Sequence, residues 1–284
     1  MNIALTGANG FIGKYLRKNF PTEKFILMRR DDTEEQWKKN ISMADVIINL
    51  AGSPIIGRWT SKNRKTILES RVNTTRKLVD ILNKTDEPNR PKLLISASAT
   101  GIYPDCKDFA LDEYSNEKGD DFLALVVAAW EAEALKLTNP SIRLVIARLG
   151  IVLGKEGGML KTILPVFKSG LGGYLGSGKQ MTSFIHIDDL RSAFRFFIDN
   201  EKTTGTYNLV SPNPVTNKEF TWSFAKKLHR PVWFHIPEAA LFLIFGKASS
   251  VLLNGSNVLP KRLTEEGFTF QYPTIQQTFD QLFD

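Results

Sequence analysis

The chain has 284 residues, of which 42% are hydrophobic and 24% charged; this is the usual balance of a globular protein and excludes long disordered stretches. The formal net charge is +7 at pH 7, but lysine and arginine are spread over many segments, so solvated helix faces explain the charge better than a nucleic-acid site. The length allows one large α/β domain with a smaller lobe, or two domains.

Cysteine usage and hydropathy indicate the compartment. The single cysteine, Cys106, excludes an internal disulfide framework and favours a reducing environment. Residues 1–7 lack the basic region and long apolar run of a signal peptide. The longest apolar stretch, residues 239–245, is far shorter than the roughly 20 residues that span a bilayer. We therefore expect a cytoplasmic protein with neither a membrane nor a nucleic acid as partner.

In chain order, short apolar runs alternate with amphipathic segments, which is typical of βαβ units and a parallel sheet. The runs predicted as buried strands are rich in Ile, Leu and Val and cover residues 3–6, 25–28, 46–50, 93–96 and 144–147. The segments predicted as helices cover residues 11–19, about 61–83, and 120–137. A further helix is predicted near Asp188, whose carboxylate would cap it.

The strongest local motif follows the first predicted strand and opens the first predicted helix: Thr6-Gly7-Ala8-Asn9-Gly10-Phe11-Ile12-Gly13. Gly7 permits a tight turn, Gly10 allows the backbone to approach a pyrophosphate, and Gly13 allows close packing of helix on strand. The helix N-terminus then presents N–H groups to phosphates. This context favours a dinucleotide site over an ordinary glycine-rich turn. The candidate contacts are Gly7, Asn9, Gly10, Phe11, Ile12 and Gly13.

The end of the second predicted strand bears on the choice of cofactor. An NAD-specific site usually places an acidic side chain there, whereas this strand runs into Arg29 and Arg30. Guanidinium groups match the oxygens of the 2′-phosphate of NADP. We therefore expect NADP(H) rather than NAD(H). Asp31 and Asp32 follow directly and keep NAD(H) open, as does the alternative that both arginines are solvated in a loop.

Together these patterns predict an α/β fold with a doubly wound parallel sheet of the Rossmann type and a smaller C-terminal α+β lobe. We assign residues 1–154 to the dinucleotide-binding domain and residues 155–284 mainly to a substrate-binding lobe. A part of this lobe, at about residues 180–210, is expected to return to the sheet. Glycines at seven positions between residues 157 and 178 indicate a loop-rich region that could close over a ligand.

Further motifs resemble the extended short-chain dehydrogenase/reductase superfamily. They read Asn49-Leu50-Ala51-Gly52, Ser96-Ala97-Ser98-Ala99-Thr100-Gly101-Ile102-Tyr103, Arg148-Leu149-Gly150-Ile151-Val152-Leu153-Gly154, and Phe184-Ile185-His186-Ile187-Asp188-Asp189. More narrowly, the chain is similar to the atypical epimerase family proteins, through Trp130-Glu131, Gly176-Ser177-Gly178 and Pro260-Lys261-Arg262-Leu263. The resemblance spans nearly the whole chain. It implies a nicotinamide cofactor in contact with Leu50, Ala51, Gly52, Ala97 and Arg148.

The chain departs from the superfamily at its proton-transfer pair. A Tyr-x-x-x-Lys pair normally lies on the helix after the fourth strand, where the lysine lowers the tyrosine pKa. Alignment on the following glutamate places Leu125 and Ala129 at these positions. No tyrosine or lysine occurs between Phe122 and Leu135. The usual mechanism therefore cannot operate unchanged.

Two side chains remain as catalytic candidates. Ser98 stands at the position of the substrate-orienting serine of the superfamily. Tyr103 could replace the missing acid, although without a lysine its pKa would stay near ~10, and a pocket-lining or packed aromatic is the alternative. Arg71 takes the place of the asparagine in an Asn-Val-x-Gly-Thr pattern, so it would face the cofactor, anchor an anionic substrate, or lie on the surface.

Two classes of function remain open. The first is an NADP(H)-dependent oxidoreductase or epimerase acting on a small carbonyl or hydroxyl compound. The second is a non-catalytic NADP(H)-binding or redox-sensing protein, favoured by the missing tyrosine and lysine. His186 suits a structural role, and no metal site is indicated because His229 and His235 lack ligands at metal spacing. The sequence leaves the substrate open, as well as the choice between a monomer and a homodimer.

Overall fold

The computed structural model describes residues 1–85 and 91–284. In chain order the strands are β1 (Asn2–Thr6), β2 (Lys24–Met28), β3 (Val46–Asn49), β4 (Leu93–Ala99), β5 (Cys106–Leu111), β6 (Arg143–Leu149), β7 (Ile151–Leu153), β8 (Gly173–Leu175), β9 (Met181–Thr182), β10 (Phe184–His186), β11 (Gly205–Leu209), β12 (Val215–Thr216), β13 (Phe234–Ile236) and β14 (Ser256–Val258). The helices are α1 (Phe11–Asn19), α2 (Glu34–Ser42), α3 (Ser61–Leu82), α4 (Phe122–Ala134), α5 (Gly158–Lys168), α6 (Ile187–Asp199), α7 (Asn217–Lys227), α8 (Glu238–Phe245), α9 (Ser250–Leu253), α10 (Lys261–Glu265) and α11 (Ile275–Phe283).

Within the described residues, six strands form a parallel sheet in the order β2-β1-β3-β4-β6-β11. The strand order reverses at β1, because β2 pairs with one edge of β1 and β3 with the other. Ligands of open α/β sheets bind beyond the carboxyl ends of the strands at such a reversal. The fold therefore places a candidate site next to Thr6 and Asn49, the last residues of β1 and β3.

Both faces of the sheet are buried, which explains why its strands are continuous apolar runs. Ile3 and Leu5 pack with residues of α1 and α6 on one face, whereas Ala4 packs with residues of α2 and α3 on the other. Helices on both faces make this a doubly wound sheet, so the predicted Rossmann-type fold is confirmed.

The C-terminal part has a core of its own, in which α5, α7 and α11 meet. Aromatic side chains dominate this core, among them Phe167, Phe220, Phe224 and Phe279. The chain nevertheless returns to the main sheet, because β11 pairs with β6 over its whole length. The residue at which a substrate lobe begins stays a prediction.

The helix at the motif Phe184–Asp189 begins differently from the sequence prediction. α6 begins at Ile187, and its cap residue is His186, whose Nδ1 accepts a hydrogen bond of 3.0 Å from the backbone N–H of Asp188. The predicted cap, Asp188, lies instead in the first turn. The other ring nitrogen of His186 lies 2.8 Å from Oε1 of Gln281, so this buried histidine also holds α11.

This arrangement predicts a pH-dependent stability. Burial lowers the pKa of His186 from 6.5 and outweighs the opposing charge of Asp188. The unfolded chain then binds a proton that the folded chain excludes, so the free energy of unfolding should fall as the pH drops below about 6.5, by up to ~1.4 kcal/mol per pH unit. Urea denaturation at several pH values measures this change in the free energy of unfolding. His186→Asn keeps an oxygen that can cap the helix and should lose the dependence on pH, whereas His235→Asn should keep it. Equal slopes in wild type and His186→Asn would contradict the assignment.

Candidate functional site

The main cavity has a volume of about 530 Å³ and opens at the carboxyl ends of β1, β3 and β4. The glycine loop, the turn after β3 and the pocket-facing side of α4 form its walls, with residues 250–256 of the C-terminal part opposite. A second cavity of about 390 Å³ shares Gly7, Gly10, Ala51 and Gly52 with it and extends to Arg29 and Arg30. The two cavities therefore form one cleft that crosses the N-terminus of α1.

The glycine loop packs so closely that side chains would not fit. Gly7 has a φ of +66°, and a Cβ there would lie 2.4 Å from the carbonyl oxygen of Leu50. A Cβ on Gly13 would lie 2.5 Å from the carbonyl oxygen of Gly7. α1 begins at Phe11 with Gly10 as its cap residue, and a glycine has no side chain to accept the first N–H groups of the helix. These donors suit a phosphate.

The turn after β2 is held in place by three side chains. Asp32 accepts a hydrogen bond of 2.8 Å from the N–H of Arg29, and Trp37 Nε1 donates to the carbonyl oxygen of Arg29 at 2.9 Å. Lys77, which lies on α3, donates to the carbonyl oxygen of Asp32 at 2.9 Å. Arg29 and Arg30 are exposed and line the second cavity, as do Asn9 and Asp31. This turn therefore gathers cations at one end of the cleft.

Sequence reasoning missed Lys77, because its place beside the turn depends on how α3 packs. Lys77 lies with Arg30 along a neighbouring cavity of about 380 Å³. Its ammonium group lies 4.5 Å from the ring centre of Trp37. Neither contact leaves a signal in the local sequence.

Arg71 lines the main cavity and is half-buried rather than on the surface. Its Nη1 donates to the carbonyl oxygen of Ile67 at 2.9 Å, and its guanidinium lies 5.4 Å from the ring centre of Trp130. Burial lowers the pKa of Arg71, and no carboxylate of the described residues offsets this effect. A Cβ on Gly52 would lie 3.1 Å from the guanidinium carbon, so Gly52 makes room for Arg71. A half-buried cation without a carboxylate partner suits an anionic ligand.

Ser98 lines the cavity and begins a chain of buried polar contacts. Its hydroxyl donates to Oε1 of Glu131 at 2.5 Å. Glu131 is held by Arg148 through two hydrogen bonds, of 2.8 and 2.9 Å. Burial alone would lower the pKa of Arg148, but the hydrogen bonds and charge of Glu131 outweigh it and raise that pKa. Arg148 does not line the cavity. In this structure Arg148 holds Glu131, and its contact with a cofactor stays a prediction.

Tyr103 also belongs to these contacts. Its hydroxyl accepts from Arg148 at 2.8 Å and lies 2.9 and 3.1 Å from the acceptor oxygens of Asp112 and Asn208. Burial raises the pKa of Tyr103, against the lowering effect of Arg148. Tyr103 also lines the cavity. A hydroxyl engaged in this way is a poor proton donor to a ligand, so the geometry favours a pocket-lining aromatic over the predicted acid.

The comparison with known proteins now identifies the family. Residues 3–209 match the model of the NAD dependent epimerase/dehydratase family. This chain belongs to that family. The resemblance predicted from the motifs is thus confirmed. Residues 236–282 match a domain of unknown function, DUF1731.

Similar proteins cover nearly the whole chain. The epimerase family protein YfhF of Bacillus subtilis is 36% identical over 299 residues, which are 99% of this chain and 98% of that protein. The chloroplastic SDR39U1 homolog of Arabidopsis thaliana is 36% identical over 296 residues, 97% of this chain and 85% of its own. The crystal structure of human SDR39U1 with NADPH is similar at a TM-score of 0.91 and 31% identity, over 99% of both chains.

The two positions that the sequence alignment assigns to the Tyr-x-x-x-Lys pair do not line the cavity. Leu125 is 60% exposed and does not line the cavity, and neither does Ala129. Two pairs of α4 residues that line the cavity lie four positions apart: Leu123 with Val127, and Val126 with Trp130. Neither pair contains a tyrosine or a lysine, so in this member of the epimerase/dehydratase family α4 presents neither residue to the site.

Two kinds of feature are absent from residues 1–85 and 91–284, namely a membrane-spanning helix and a metal-binding cluster. No helix in these ranges is both long and apolar enough to cross a bilayer. The same ranges contain no group of three or more His, Cys, Asp and Glu side chains that could hold a metal ion.

Proposed function

We propose that the chain binds NADP(H) in this cleft and uses it to oxidise or reduce a small carbonyl or hydroxyl compound, as an oxidoreductase or epimerase. The observation that carries the proposal is the continuity of the cleft, which runs from Arg29 and Arg30 past the start of α1 to Ser98. The similar human protein was solved with NADPH, which supports the same choice of cofactor here.

The residues along the cleft fit the charge of NADP(H). The N–H groups at the start of α1 suit the pyrophosphate, because Gly10 leaves them uncapped. Arg29 and Arg30 suit a 2′-phosphate, and Lys77 adds a third cation close to Arg30. Arg71 suits a further anionic group, either a phosphate of the cofactor or an acidic group of the substrate. Asp31 is the feature that favours NAD(H).

The bound cofactor supplies the hydride chemistry, and the chain supplies position and polarity. Ser98 is the polar side chain that we place next to the reacting oxygen, among the apolar Leu123, Val126 and Val127. The opposite wall comes from the C-terminal part, through Met181, Ser183, Ser250, Val251, Asn254 and Ser256. These residues would therefore select the substrate.

Turnover tests this proposal directly. Purified protein is incubated with NADPH and a panel of aldehydes, ketones, quinones and nucleotide sugars, and the absorbance of NADPH is followed. We expect oxidation with at least one compound and a fall in kcat of about 100-fold in Ser98→Ala, because a hydrogen bond to the reacting oxygen is lost. Tyr103→Phe should stay within about threefold, because its hydroxyl faces Arg148 and Asn208.

A redox-sensing protein is the second candidate, and it is favoured because none of the α4 residues that line the cavity is a tyrosine or a lysine. A sensor needs to bind the cofactor without consuming it. Tight binding of NADPH by calorimetry, together with no oxidation across the whole panel, would support the sensor and exclude the enzyme.

A further inference from the structure

α4 presents no tyrosine or lysine to the cavity, but it places one acidic side chain directly behind Ser98. Glu131 is 8% exposed, and its Oε1 lies 2.5 Å from the hydroxyl oxygen of Ser98. Ser98 itself is 2% exposed and lines the cavity, so it stands between Glu131 and any ligand. A substrate oxygen that contacts Ser98 would be joined to Glu131 by a chain of two hydrogen bonds.

We propose that Ser98 and Glu131 together transfer the proton of the reaction, in place of the Tyr-x-x-x-Lys pair; this rests on the proposed function. In alcohol oxidation by NADP⁺, the C–H bond of the substrate breaks and its electron pair leaves as hydride to the nicotinamide. The O–H proton of the substrate moves to Ser98 Oγ, and the Ser98 proton moves to Glu131. The products are a carbonyl compound, NADPH and a protonated Glu131, which then loses its proton to solvent. Carbonyl reduction is the reverse.

The contacts around Glu131 support this assignment over other groups. Arg148 binds both carboxylate oxygens, which fixes the carboxylate in the orientation that meets Ser98. Tyr103 also lines the cavity, but its hydroxyl is already bonded to Arg148, Asp112 and Asn208. Arg71 carries no proton acceptor. Of these groups, Glu131 alone is both a base and in contact with Ser98.

The chain offers a matched control two residues further along α4. Glu133 is as buried as Glu131, but its carboxylate binds Arg76 and Lys136 instead of Ser98. With the most reactive compound of the panel, Glu131→Gln should lower kcat about 100-fold, with KM and NADPH affinity nearly unchanged, and Glu133→Gln should leave kcat within about twofold.

A double-mutant cycle separates proton transfer from a purely structural role. If Ser98 and Glu131 act as one unit, Glu131→Gln should have almost no further effect on kcat in a Ser98→Ala background. The solvent deuterium isotope effect of the wild type should also be reduced in Glu131→Gln. Independent, additive effects and an unchanged isotope effect would overturn the proposal.

A measurement on the cofactor-free protein tests the contact without turnover. A hydroxyl proton held between two oxygens and shielded from water should give a downfield ¹H NMR resonance. It should vanish in Ser98→Ala, move upfield in Glu131→Gln and persist in Glu133→Gln. Absence of this resonance in the wild type would overturn the proposed pair. If the wild type is inactive with every compound of the panel, both the proposed function and the proposed proton transfer are overturned. If the wild type is active and Glu131→Gln is equally active, only the proton transfer is overturned.

Discussion

Replacement of Gly7 by alanine is expected to abolish NADPH binding and to lower the free energy of unfolding by about 3 kcal/mol. Two effects add at this residue. The φ of +66° is strained for any residue with a Cβ, and the new methyl group would lie 2.4 Å from the carbonyl oxygen of Leu50. Because Leu50 follows β3 directly, the backbone can relieve this overlap only by separating β1 from β3. The loop would then lose its shape at the point where we place the pyrophosphate.

Gly101→Ala is the matched control for this prediction. Gly101 also lines the cavity, but a Cβ there would have its nearest neighbour at 3.8 Å, an ordinary van der Waals distance. Urea denaturation and calorimetry with NADPH should therefore distinguish the two variants, with Gly101→Ala close to wild type in both. If Gly7→Ala bound NADPH as tightly as the wild type, the glycine loop would not be the phosphate site.

The parts of this fold that the sequence predicts are those whose causes are local. Ile3 and Leu5 on one face and Ala4 on the other belong to a single five-residue strand, and a strand buried on both faces is a continuous apolar run. The glycine loop is equally local, because the turn, the close approach and the helix start all occur within residues 7–13.

The sequence prediction did not include α2 and α5, because their local signals are weak. α2 has nine residues, of which only Trp37 and Ile41 are buried, so its apolar pattern is too short to stand out. Its start is nevertheless marked by a capping box in which Thr33 and Gln36 bind each other's backbone N–H groups. α5 contains Pro165 and begins within the glycine-rich region, so composition alone indicates a loop.

The contacts of the site depend on packing between distant segments, and here the sequence predictions were least accurate. The alignment placed Leu125 in the site, but this side chain is 60% exposed and does not line the cavity, because a shift of one or two positions turns a residue to another side of a helix. Glu131 was seen only as part of a family motif. The sequence does contain a signal for Glu131, because an acidic side chain on a helix as apolar as α4 needs a polar partner. In the structure Arg148 and Ser98 are these partners.

The preference for NADPH over NADH should disappear when both arginines of the turn after β2 are removed. In Arg29→Ala/Arg30→Ala the affinity for NADPH should fall about 100-fold or more while that for NADH stays nearly the same, because only NADPH carries the 2′-phosphate. Hydrogen bonds between charged groups contribute about 1.5–3 kcal/mol each, and ~1.4 kcal/mol corresponds to a tenfold change in affinity. Calorimetry with both cofactors measures the ratio.

A loss of two positive charges could weaken binding of any anion, so the control must remove the same charge elsewhere. Lys38→Ala/Lys39→Ala does so on the exposed side of α2, where Lys38 pairs with Glu34. If net charge decided the preference, both double variants would change the ratio alike. If the turn after β2 decides the preference, only the arginine variant will change the ratio of the two affinities. Lys77→Met, which keeps an unbranched side chain beside Trp37, should then reduce the preference for NADPH by about tenfold. Equal affinity of the wild type for both cofactors would show that Arg29 and Arg30 do not select NADPH.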